Sequence, residues 1–159
     1  MYTEDIIDDN FSQLGYKKIP FLIGRDELVY LYLQRINKLR DFKSKMYNRF
    51  PIKAIKSLLS IHDQFKQELF NDNDLSNIEE KCLGMIKDLG EDAAEKYMQI
   101  YDAAVTFNEF SEIRKESSFI EYEDMIYELW SLLNFSDITS KLQNKFKFII
   151  IDEFQDNNF

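Results

Sequence analysis

Phe146-Lys147-Phe148-Ile149-Ile150-Ile151-Asp152-Glu153-Phe154-Gln155-Asp156 is where the chain changes its pattern: a β-branched apolar run leads straight into two adjacent carboxylates. A short apolar run of this kind reads as a buried strand. Everything upstream shows either a helical period or none, so the strand at 146–151 has no ladder partner in the sequence. A lone strand leaves its N–H and C=O groups unpaired. The expectation is a mainly α chain, a bundle-like helical subdomain, that ends in one strand cut from a larger α/β sheet.

Working back from that strand, Asp137 caps a short helix through Leu142. Ser118 and Glu121 have the S-x-x-E spacing of a capping box, and the helix they open carries Ile126, Leu129, Trp130 and Leu133. A long helix from about Asp92 to Lys115 turns Ala94, Tyr97, Tyr101, Ala104 and Phe107 inward. Before it, Leu75, Ile78, Cys82, Met85, Ile86 and Leu89 mark a helix that follows a polar turn at 71–74, with Gly90 at its C-cap. Pro51 starts another, since proline suits a first turn, with Ile52, Ile55, Leu59, His62, Phe65 and Leu69 in register. Arg25-Asp26-Glu27 opens one continuous helix through Leu28, Tyr32, Ile36, Leu39, Phe42 and Met46. The first twenty-odd residues show no period and read as extended, with Gly15 and Pro20 as punctuation. The chain therefore divides into a lead-in at 1–23, a helical part at 24–145 and the strand with its acidic turn at 146–159.

Composition supports this division. Only 4 Gly and 2 Pro against 14 Phe and 9 Tyr favour long buried helices over a turn-rich sheet fold. The 45% hydrophobic content excludes a disordered chain. Cys82, the one cysteine, excludes an internal disulfide and a multi-cysteine zinc site, and its place on an apolar stripe makes it a core residue. His62 and the Trp130 cluster read the same way. No apolar run approaches the roughly 18 residues of a membrane span, and the acidic start Met1-Tyr2-Thr3-Glu4-Asp5 is no secretory signal. A cytoplasmic protein without a membrane partner is expected. The net charge of −9 argues against the whole surface binding nucleic acid. Residues 17–56, however, hold eleven Lys/Arg against three acids, a local net of +8. That stretch points to an anionic partner, or else to a solvated face balanced elsewhere. The acid-rich stretch 109–128 reads as a solvated face.

An apolar strand that delivers an Asp-Glu pair is how P-loop nucleotidases build the Walker B site, one carboxylate for Mg²⁺ and its neighbour for the attacking water. Residues 148–156 resemble motif II of the UvrD/Rep-type superfamily 1 DNA helicases, which reads as apolar residues followed by DEFQD or DEYQD. Phe119-Ile120-Glu121-Tyr122-Glu123-Asp124-Met125 is similar to that family's aromatic–acidic segment, near D-F-D-D-L, with Glu121 and Glu123 replacing aspartates. The two matches cover about the last quarter of the chain.

The resemblance implies a piece of an ATP-dependent DNA helicase or translocase, with Mg²⁺ and ATP as cofactors of the intact parent. Asp152 would hold the metal, Glu153 would be the catalytic base, and Gln155 and Asp156 would be neighbours of the nucleotide site. The segment from about Gly24 to Lys115 would be the helical insert called 1B, with Lys43, Lys45, Arg49, Lys53 and Lys56 as candidate DNA contacts. Tyr47 and Phe50 lie among those charges, as stacking groups or as core. The partners expected are DNA, bound weakly and salt-sensitively through 17–56, and the rest of the motor. No G-x-x-x-x-G-K-[ST] loop occurs, so the chain alone is expected neither to bind nucleotide tightly nor to hydrolyse ATP. Two rival readings remain: a helical protein-interaction module whose DEFQD is coincidental, and a metal-dependent hydrolase using Asp152 and Glu153.

Overall fold

The computed structural model describes residues 3–36, 39, 41–90, 93–146 and 148. These form helices joined by one pair of two-residue parallel strands. Helix α1, Thr3–Asp9, corrects the expectation of an extended lead-in. Seven residues with only Ile6 and Ile7 buried are too few to show a period, and packing against a later helix supplies what propensity does not. Gly15 then takes a positive φ of 87°, a backbone state that a Cβ disfavours, and brings Leu14 and Tyr16 into the interior.

Strand β1, Phe21–Leu22, pairs in parallel with β2, Phe119–Ile120, with Phe21 opposite Phe119. Hydrogen bonds from Phe21 N–H to Ser118 O and from Ile23 N–H to Ile120 O, both 2.9 Å, close the ladder. Helix α2 runs over Arg25–Gln34 and α3 over Lys45–Arg49, so the single helix expected from 25 to 46 is broken. The break is tertiary in origin. The Asp102 carboxylate accepts from the backbone N–H groups of Lys43 and Ser44, at 2.8 and 2.9 Å, and holds that backbone out of helix. Leu39 and Phe42, which lie between the two helices, still reach the core, so the apolar period runs on through the break.

Helix α4 spans Pro51–Gln67, α5 Asp72–Leu89 and α6 Glu95–Ser117. Asn71 caps α5 through bonds from the Asn73 and Asp74 N–H groups, and Gly90 ends it at φ 74°. Helices α2, α4 and α6 surround the main core, where Leu28, Tyr32, Ile55, Leu58 and Leu59 are at most 2% exposed. A second core joins α1 to α7, Tyr122–Leu132, and α8, Ser136–Lys145, through Ile7, Tyr16, Leu132 and Ile138.

Two further expectations change. Ser118 takes the left-handed conformation that terminates α6, so it is not free to cap the next helix. Glu121 caps α7 instead, its N–H donating to the Asp124 carboxylate at 3.0 Å. Helix α7 is also rotated from its apolar pattern. It buries Asp124, Met125, Glu128 and Leu132, while Ile126 is 69% and Leu133 45% exposed. Of the strand expected at 146–151, Phe146 and Phe148 are described, and neither is in a strand. The other positions lie outside the described residues.

Candidate nucleic-acid interface

The last part of the basic stretch, from Lys43 to Lys56, becomes a corner where α3 meets α4. Ser44 makes the corner: its Oγ accepts from the Tyr47 N–H at 3.1 Å and donates to Glu95. Burial acts to raise the Glu95 carboxyl, but hydrogen bonds from Ser44, Met46 and Gln99 outweigh it and hold the group below the ordinary range. Asp102 behaves in the opposite way, since burial raises it more than the two N–H donors lower it. Both acids tie the corner to α6, and of the charged side chains left outside between 41 and 56 five are cations and one, Asp41, is an acid. Lys43, Lys45, Arg49, Lys53 and Lys56 are all exposed. Lys43 Nζ sits 5.1 Å over the Tyr101 ring. Lys56 Nζ is 3.9 Å from Asp26, a surface pair of little strength.

The two aromatic residues of the corner, Tyr47 and Phe50, separate. Tyr47 is wholly buried, edge-on to Phe42 at 5.8 Å, with its hydroxyl 2.7 Å from Ser57 Oγ. It is core. Phe50 is 41% exposed, with Arg49 Cζ and Lys53 Nζ each 5.2 Å from the ring centroid. It ends α3 and caps α4 at once, so its backbone is fixed from both sides.

The acidic candidates Asp152, Glu153, Gln155 and Asp156 lie outside the described residues. The aromatic–acidic segment at 119–125 is described, and it is β2 running into α7. Of its acids, Glu121 and Asp124 are buried and Glu123 is exposed. Glu121, Arg25, Asp63, Lys66, Asp124, Arg114, Glu128 and Lys115 form a chain of alternating charge. The links are 2.7, 2.6, 3.2, 2.7, 2.8, 3.0 and 3.5 Å in that order. Four acids meet four bases, so the cluster is close to neutral as a whole. Tyr16 joins it, accepting from Arg114 at 2.9 Å and donating to Glu128 at 3.2 Å.

Each group responds to its place in that chain. Burial would lower Arg114, but Asp124, Tyr16 and Glu128 more than reverse this, and the guanidinium stays charged. Burial would raise Asp124, yet Arg114 and Lys66 hold it below the usual carboxylate range. Glu121 is the exception. Its Oε2 is buried without a hydrogen-bond partner. Burial pushes the carboxyl up to about 7, against the pull of Arg25.

The sequence reading missed this network because acids at 109–128 and bases on distant helices have no spacing in common. One signal was present. Arg114 continues the inward stripe of Phe107 and Phe110 on α6, and an arginine on such a stripe needs a buried partner. His62 is, as expected, a core residue: its Nε2 is 2.8 Å from Ala103 O and its ring meets Phe107 and Phe110 edge-on. A carbonyl only accepts, so Nε2 carries the proton. Cys82 is buried.

Fold and corner together define a helical domain with a cationic, partly aromatic outer edge, braced by a buried ion-pair chain beside its two-strand ladder. The family model for the UvrD/REP helicase N-terminal domain matches residues 2–159, and the chain belongs to that family. Neither a curated protein nor a solved structure gives a match. Among the described residues no helix is long and apolar enough to cross a membrane, and no cluster of His, Cys, Asp and Glu could hold a metal ion.

Proposed function

We propose that the chain is the part of an ATP-dependent DNA helicase or translocase that combines a DNA-contacting helical insert with the nucleotide-site segment after it. The observation that carries the DNA contact is the α3–α4 corner, where five side chains of one sign are exposed on a chain whose net charge is −9. Phosphate contacts need cations held at the surface with their acids turned away. Glu95 and Asp102 are engaged on the inner side, with Ser44 and the 43–46 backbone. Lys43, Lys45, Arg49, Lys53 and Lys56 would meet the backbone of a DNA strand, weakly and in a salt-dependent way.

Two adjacent carboxylates at 152–153 suit a divalent cation by their donor chemistry. In the intact protein Mg²⁺ would supply charge neutralisation of the nucleotide phosphates. Asp152 would hold the ion, Glu153 would accept the proton of the attacking water, and Gln155 and Asp156 would border the site. Without a phosphate-cradling loop in the sequence, the chain by itself should not turn over MgATP.

Fluorescence anisotropy with a labelled single strand tests the reading. Lys53→Ala with Lys56→Ala should weaken binding uniformly across sequences. The slope of log affinity against log salt should flatten by about 0.7 for each phosphate no longer neutralised. Binding insensitive to both substitutions and to salt would remove the corner from the DNA path.

A further inference from the structure

We infer that Phe50 is a stacking platform for an unpaired base, so that the α3–α4 corner takes single-stranded rather than duplex DNA. The inference rests on the DNA reading above and deepens it. Phosphate contacts alone do not distinguish a single strand from a duplex, since both present the same anionic backbone. A ring does. Every base has a π-face, and in a duplex that face is already covered by its neighbours.

Three observations place the ring for this task. At the α3–α4 corner it is the aromatic that stays at the surface beside the cations, 41% exposed where Tyr47 is wholly buried. Its backbone joins two helices, α3 and α4, so the ring is presented from a fixed corner and not from a loose loop. Arg49 and Lys53 flank it at 5.2 Å each. Exposed cation–π contacts of that kind are weak, and both side chains are long enough to swing aside. A base arriving on the ring would displace them towards the phosphates on either side of its own nucleotide, so stacking and charge neutralisation act on one residue of the strand.

The test compares an oligothymidylate, an abasic strand of equal length and a blunt duplex, each fluorescein-labelled, on the full 159-residue chain. Phe50→Ala should weaken the oligothymidylate about thirtyfold, the middle of the range for a base–aromatic stack, and leave the abasic strand and the duplex unchanged. Phe50→Leu keeps an apolar side chain without a π-face and should behave as Phe50→Ala, whereas Phe50→Trp should restore binding. Lys53→Ala should weaken all three ligands. If Phe50→Ala changes none of them, or weakens the abasic strand as much as the oligothymidylate, the platform is overturned while the phosphate corner stands. If Lys53→Ala and Lys56→Ala also change nothing, the corner itself falls and the stacking inference falls with it.

Discussion

Lowering the pH from 7 to 5, with His62 intact and in the His62→Gln variant, measures how much of the main core depends on one neutral imidazole. Burial is the main cause that brings the folded-state value of His62 down from 6.5 to about 3, with Lys66 adding to it. The folded protein therefore keeps the ring neutral at pH 5, while the unfolded chain takes up a proton below 6.5. Stability from this group is fully present above 6.5 and is lost as pH falls from there towards 3. Linkage gives a loss of about 2 kcal/mol between pH 7 and 5. Glu121 runs the other way. With its carboxyl raised to about 7 from 4.5, its contribution is full below 4.5 and is lost as pH rises towards 7. The unmodified chain therefore shows two opposed slopes over the same range, and only the comparison with the variant isolates His62. Glutamine can still donate to Ala103 O and carries no titrating proton. The missing ring packing against Phe107 and Phe110 adds an offset that does not change with pH. Urea unfolding followed by circular dichroism should show the stability gap between the two proteins shrinking by about 2 kcal/mol at pH 5, or about 1 M in midpoint. A gap that stays constant across the range would refute a neutral, buried His62.

Arg114→Met should destabilise by about 3–5 kcal/mol, because Asp124 and Glu128 would then be left buried with fewer counter-charges; thermal unfolding would show a midpoint lower by about 10 °C. Ile126→Glu and Leu132→Ala test the rotation of α7. The first should change stability by less than about 0.5 kcal/mol, the second should cost about 2–5 kcal/mol, and the reverse order in a denaturant series would contradict the observed face. Ser44→Ala removes the α3 cap and one donor to Glu95, a loss of about 1 kcal/mol, and should weaken single-strand binding by loosening the corner, read by the same anisotropy assay.

Pro51 at the start of α4 and Gly90 after α5 could be read directly, because their backbone constraints are local and belong to the residue itself. The break between α2 and α3 could not. Leu39 and Phe42 keep the apolar period while Asp102, some sixty positions away, captures the backbone between them. The start of α7 failed for a related reason: Ser118 matched a capping pattern, but ending α6 used it first. At the candidate site, the cations of the α3–α4 corner were legible as a run of like charge, and all five are exposed. Which aromatic stands outside was not legible, since Tyr47 and Phe50 have similar surroundings in the sequence and differ in that Tyr47 lies within α3 while Phe50 follows its end, where the backbone leaves the helical conformation. The alternating chain through Arg114 was hidden because every ion pair in it but Asp63–Lys66 joins residues from different parts of the fold.

Helix α7 buries acids and turns Tyr122, Ile126 and Leu133 outward, so its docking obeys a different logic from that of the greasy helices around it. Apolar stripes tolerate sliding and modest rotation, because one methyl group substitutes for another. Salt links do not. Turn α7 by a third of a revolution and Asp124 and Glu128 leave Arg114, Lys66 and Lys115 together, and of the three bases Lys66 alone keeps an acid, Asp63. The helix therefore behaves as a keyed shaft with a single permitted setting, and α8, joined to it by a short turn, inherits that heading as the chain runs on towards Asp152.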